Sequence, residues 1–185
     1  MRKLRVNTSA ESAAPPRAET FEAYRWGHLL LVAAVHGEAN RRRSLSMDRL
    51  ATYDFFTAHP FLIFDPGSSA GRRLVREGLE PKSLTYAAAP DRLANRRQRI
   101  QADVTALVAR GLGDVIAEDG RLVLRLTSPG GEVATTLRSF YAQAVRASAT
   151  LVVGDLDKLA DATLRARAQE WTSHRALMID VLEAV

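Results

Sequence analysis

Between residues 93 and 153 the chain strings together a helical repeat, a glycine, two short apolar runs around a tight turn, and a second helical repeat opened by a cap. Ile100, Val104, Leu107 and Val108 recur at steps of three and four, the spacing of one helix face, and Gly111 follows where a left-handed stop is needed. Residues 112–117 and 121–126 then flank Glu118-Asp119-Gly120, a hairpin signal. In the second run Leu122, Leu124 and Leu126 alternate with Arg121, Val123 and Arg125, which predicts a buried leucine face and outward arginines. Ser128 is read as a cap with Pro129 in the first helical position. Val133, Leu137, Phe140, Tyr141, Ala144, Val145 and Val152 then mark a single helix to about residue 153. Helix, hairpin and capped helix in this order make the winged-helix variant of the helix-turn-helix.

The rest of the chain attaches to that unit. Residues 1–17, with the Pro15-Pro16 pair, carry almost no large apolar side chains after Val6 and read as a flexible N-terminal arm. Phe21, Tyr24, His28, Leu31, Val32 and Val35 set one face of a helix ending near Gly37. Arg41-Arg42-Arg43 reads as an exposed loop, Ser46 caps a helix over residues 47–58, and His59-Pro60 ends it. Residues 61–90 form a long insertion with a short helix inside. A last helical region, 154–185, carries Leu159, Leu164, Trp171, Leu177, Val181 and Leu182. The expected fold is therefore mainly α with a small β-hairpin. A winged helix-turn-helix domain spans 18–153 between the arm and a C-terminal helical region.

Composition narrows the function. Without cysteine, disulfides, thiol catalysis and thiolate metal sites are excluded. The longest apolar run, residues 29–35, is too short to span a bilayer, and the N-terminus lacks a signal-peptide core, so a cytoplasmic protein with no membrane contact is expected. The four histidines, His28, His36, His59 and His174, are scattered and give no metal pair; His28, on an apolar face, reads as a core histidine. Asp54, between Tyr53 and Phe55, has no second carboxylate at helical spacing and reads as a capping or hydrogen-bonding group. The glycines of residues 67–71 lack the Gly-Lys-Ser/Thr ending of a phosphate loop and read as a turn. No catalytic residues, metal, cofactor or small-molecule substrate are expected.

The net charge of +5 is carried mostly by arginine, whose planar fork suits phosphates and carboxylates, so an acidic partner surface is expected. Candidates for phosphate contact are Arg92, Arg96, Arg97 and Arg99 on the helix entering the wing, Arg121 and Arg125 on the wing, and Arg41, Arg42 and Arg43 in the loop. Each set has the alternative of a solvated basic face. Changing Arg96, Arg97 and Arg99 to glutamate is expected to weaken DNA association of the assembled complex with its thermal stability nearly unchanged, and unchanged DNA binding would mark them as merely solvated.

Several short motifs carry a resemblance: Leu50-Ala51-Thr52-Tyr53-Asp54-Phe55-Phe56, Ser83-Leu84 with Pro90 and Arg92, Arg96-Arg97, Leu-Val-Ala-Arg-Gly-Leu at 107–112, and residues 137–141. Across residues 21–153 their order resembles the middle component of bacterial ABC-three-component systems, a family that includes the small subunit of Lamassu-type anti-phage defence. The chain departs from that pattern at Thr85-Tyr86, where the family has His-Pro after Ser-Leu. The resemblance implies a non-catalytic accessory subunit that bridges an SMC-like ATPase, a nuclease-type effector and double-stranded DNA. Trp171 and Leu177 are the candidate anchors for a partner. The rival expectation is a dimeric winged-helix repressor with a defined operator.

Overall fold

A computed structural model of the chain describes residues 21–38, 44–81 and 88–183, the last ten of these as backbone only. The flexible arm expected at 1–17, and Arg41, Arg42 and Arg43, lie outside the described residues. In chain order the elements are α1 (Glu22–Glu38), α2 (Met47–Ala58), a 3-10 turn (Pro60–Leu62), α3 (Ser69–Arg76), α4 (Ala89–Ala109), β1 (Gly113–Glu118), β2 (Arg121–Leu126), α5 (Ser128–Thr136), α6 (Phe140–Leu156) and α7 (Asp161–Glu183). The fold is mainly helical, with one two-stranded antiparallel sheet among the described residues.

The apolar run 29–33 is buried all the way round α1, as a helix surrounded by its own chain must be. α1 packs against α2, α4, α5, α6 and β2, so the single buried face read from the sequence widens to nearly the full circumference. Its two ends face water, at Glu22 and Ala23 and at Gly37 and Glu38, with Phe21 just before it 56% exposed. Around α1 one apolar cluster gathers Leu50, Tyr53 and Phe56 of α2, Leu107 of α4, Leu124 of β2 and Val152 of α6. Ser46 caps α2 by accepting from Arg49 N, and Ser68 caps α3 by accepting from Gly71 N. The glycine-rich stretch at 67–71 is thus a capped turn. A Cβ on Gly71 would lie 2.0 Å from the Asp65 carbonyl oxygen.

The hairpin turns through Asp119 (φ 50) and Gly120 (φ 72), consecutive left-handed residues that match the twist of the flanking strands. Its faces differ from the sequence expectation. Leu122 is 56% exposed, while Val123 and Leu124 are both buried. The reason is that α1, α2 and α5 pack against β2, which is also a middle strand. β1 pairs along one edge, and on the other Leu124 N donates to Leu45 O at 3.0 Å and Ser46 bridges Val123 in antiparallel sense. The residues that open α2 therefore act as a third, very short strand.

The helix after the hairpin also differs from the sequence expectation. Thr127, not Ser128, is its N-cap, accepting from Gly130 N, and the helix stops at Leu137, whose ψ of 91 leaves the helical region. Ser139 then caps α6 by accepting from Ala142 N. Val133 and Phe140 lie seven residues apart, which made two helices read as one face. The break leaves Val133, Phe140 and Tyr141 exposed at 37%, 70% and 43%.

Two glycines in the first turn of α5 provide a matched test. A Cβ on Gly130 would sit 1.8 Å from the Leu112 carbonyl oxygen, whereas one on Gly131 would meet nothing within 4 Å. Gly130→Ala should lower stability by more than about 2 kcal/mol, and Gly131→Ala should raise it by up to about 1 kcal/mol, read by denaturant unfolding. Leu107→Ala, at a fully buried position, should cost about 2–5 kcal/mol in the same assay.

Candidate functional site

Three helices place a charged cluster beside the core. α1 contributes Arg25 and His28 from one face, α2 contributes Asp54, and α4 contributes Arg96 and Asp103. Arg25 Nη2 lies 3.0 Å from Asp103 Oδ1, and its Nε donates to the same carboxylate at 3.0 and 3.2 Å. His28 Nδ1 is 2.7 Å from Asp54 Oδ1. Arg96 bridges the two acids, its Nε donating to Asp54 Oδ2 and its Nη1 to Asp103 Oδ2. The Asp103 and Asp54 side chains are 3% and 8% exposed and that of Arg96 12%, so water screens these charges little.

Burial alone would push the Asp54 carboxyl up. The His28 ring and the Arg96 guanidinium outweigh it and hold the carboxyl below its ordinary value. For Arg96 burial likewise opposes the charge, and Asp54 with Asp103 more than restores it. A second buried hub lies between α2 and the start of α7. Arg49, 2% exposed, donates to Asp161 Oδ1 at 2.7 Å, to Tyr53 Oη at 2.6 Å and to the Leu159 carbonyl at 2.6 Å. Burial pushes the Tyr53 phenol up to about 12, against the opposing pull of Arg49.

The candidate phosphate-contacting arginines fall into different environments. Arg96 is turned inward, so the expectation of a merely solvated side chain is overturned by its two buried carboxylate partners. Arg97 Nε lies 3.4 Å from Asp48 Oδ1 without hydrogen-bond geometry. Arg121 and Arg125 do point outward, at 59% and 61% exposure, but Arg121 pairs with Asp161 and Arg125 Nη2 lies 2.8 Å from Glu118 Oε1. Arg92 and Arg99 line a cavity described below, Arg99 at its exposed rim. Trp171 packs edge-on against Phe56 with ring centroids 5.5 Å apart, partly buried against the core. The Leu177 side chain lies outside the described residues.

The sequence reading missed the acid cluster because Asp54 finds its second carboxylate on another helix, and spacing within α2 cannot reveal it. One signal was present. Arg92, Arg96, Arg99 and Asp103 recur at steps of four, three and four, a polar stripe of their own beside the apolar stripe of α4. His28 and Asp54 have the polarity of a base and its orienting acid, yet no nucleophile touches His28 Nε2, which has no hydrogen-bond partner. Among the described residues no group of three His, Asp or Glu side chains is placed to hold a metal ion. No helix among them is long and apolar enough to cross a membrane. Comparison with protein-family models, with curated proteins and with solved structures found no match.

Because Arg96 sits between two buried carboxylates, Arg96→Glu should cost at least about 3 kcal/mol, while Arg99→Glu at the exposed rim should change stability by no more than about 0.5 kcal/mol. The depressed Asp54 carboxyl also fixes a sign. Its stabilising contribution is complete above the ordinary value of 3.8 and is lost as pH falls below it. Asp54→Asn should therefore be less stable at neutral pH, and its unfolding midpoint should fall less steeply than that of the parent below about pH 4, as circular dichroism melts will show.

Proposed function

We propose that the chain is a non-catalytic, protein-binding subunit of a larger assembly, built on a winged helix. α1, α2 and α4 supply the helices and β1–β2 the wing, with the segment before α2 as the short strand that completes its sheet. The observation that carries the reading is the internal pairing of the arginines. Four of those nominated on α4 and the wing lie beside carboxylates of their own chain: Arg96 with Asp54 and Asp103, Arg97 with Asp48, Arg121 with Asp161, and Arg125 with Glu118. A helix and wing neutralised in this way offer few counterion-releasing contacts to DNA, which supports the use of the winged helix as a protein-contact module.

The exposed apolar side chains favour the same reading. Phe140 and Tyr141 at the start of α6 and Leu122 on the wing are large, apolar and half or more open to water, apart from Tyr141 at 43%. Together with the resemblance to the middle component of ABC-three-component systems, this supports a reading in which the subunit bridges an SMC-like ATPase and a nuclease-type effector in anti-phage or anti-plasmid defence. Any DNA is held mainly by the partners.

Tagged protein purified from its native host should bring down a large coiled-coil ATPase and an effector. The isolated chain should bind duplex DNA only weakly, with a salt slope corresponding to no more than about two phosphate contacts. A symmetric dimer that footprints one promoter at physiological salt, and captures neither partner, would instead establish the repressor reading.

A further inference from the structure

Beside the charged cluster lies a cavity of about 460 Å³, lined among others by Tyr24, His28, Thr57, Arg92, Arg96 and Arg99. Three buried polar atoms without any hydrogen-bond partner belong to residues of this lining: His28 Nε2, Thr57 Oγ1 and Arg96 Nη2. His28 is 5% exposed and Thr57 1%. A buried polar atom left without a partner costs stability, and buried groups of native proteins are nearly always paired. Among the described residues, the remaining atoms of this kind belong to Trp26 and Arg97, neither of which lines the cavity. The wider groove of about 700 Å³ beside β2 is lined by none of them. Three residues of one lining thus each hold a polar atom without a partner, which marks a place where a polar group belongs.

The chemistry of that group follows from the walls. Arg25, Arg92, Arg96 and Arg99 bring four guanidinium groups to the lining against one lining carboxylate, Asp54, with Asp103 behind it. With Arg25 and Arg96 matched by these two acids, Arg99 at the rim adds a further positive charge to the lining, which selects an anion. Asp54 occupies His28 Nδ1, so the ring presents Nε2 as its remaining polar atom. Tyr24, Phe55 and Tyr141 add aromatic wall, and the rings of Tyr24 and Tyr141 lie 5.3 Å apart. The volume falls within the range of small-molecule sites, roughly 300–1,000 Å³.

We propose that this cavity binds a small aromatic organic anion, its carboxylate or phosphate received by the Arg96 and Arg99 guanidinium groups and the Thr57 hydroxyl, with His28 Nε2 completing the polar wall. The ligand is held rather than turned over. The site is independent of the assembly reading, since it needs neither a protein partner nor DNA.

Titration calorimetry on the full chain tests this with phenyl phosphate, benzoate and the neutral benzyl alcohol. One or both anions should bind at one site per chain, and the tighter of the two tells phosphate from carboxylate as the source of charge. Thr57→Val and Arg99→Gln should each weaken that binding about tenfold or more. Thr57→Val should melt at or above the parent temperature, because the hydroxyl it removes has no partner in the free protein, so weakened binding in this variant reports the site and not a damaged fold. Binding unchanged in both variants, benzyl alcohol binding as tightly as the anions, or no binding of either anion would each overturn the proposal.

Discussion

One guanidinium caught between two buried carboxylates is the constraint around which this molecule is arranged. Arg96 on α4 reaches Asp54 on α2, while Asp103, two turns further along the same stripe of α4, takes both Arg96 and Arg25 of α1. Each link alone is a buried ion pair, and such pairs add little to stability once the loss of water is counted. Their value here is geometric. The acids have no good alternative to this arrangement, because any slippage of α4 along α2 would leave a charge buried and unpaired. The apolar cluster supplies the drive to pack, and the ionic cluster chooses one packing among several that would bury the same side chains.

This division explains what the sequence made legible. α2, α4 and the hairpin could be placed closely from local signals: Ser46 as a cap, the step of Ile100, Val104 and Leu107, and Asp119-Gly120 as a turn. Those signals act within a few residues, so the chain displays them directly. What escaped detection depends on neighbours far along the chain. The burial of Val123 as well as Leu124 follows from the helices α1, α2 and α5 packed against β2, and nothing in the alternation of residues 121–126 announces those neighbours. The helix break at 137–139 was hidden because Val133 and Phe140 keep helical phase across it, although Thr135, Thr136 and Ser139 are residues that compete with helix.

The site shows the same limit more sharply. Charge content drew attention to the arginines of α4, and with reason, since Arg92, Arg96 and Arg99 gather at one cavity. Composition could not say which way they face. A basic stripe exposed to phosphates and a basic stripe folded against acids read alike until the partners of Asp54 and Asp103 are known. Asp54 lies 42 residues from Arg96, and only tertiary structure brings that pair together.

The hairpin also carries a consequence for how the chain reaches this state. Its strands are joined by two residues, and its turn is set by local backbone preference, so it can close within microseconds without help from the rest of the chain. The contact between Ser46 and Val123 must instead enclose the whole of α2, α3 and α4 in one loop. Closing that loop costs far more entropy than closing the turn. Local closure therefore favours formation of the hairpin before the Leu45-Ser46 segment pairs with its second edge.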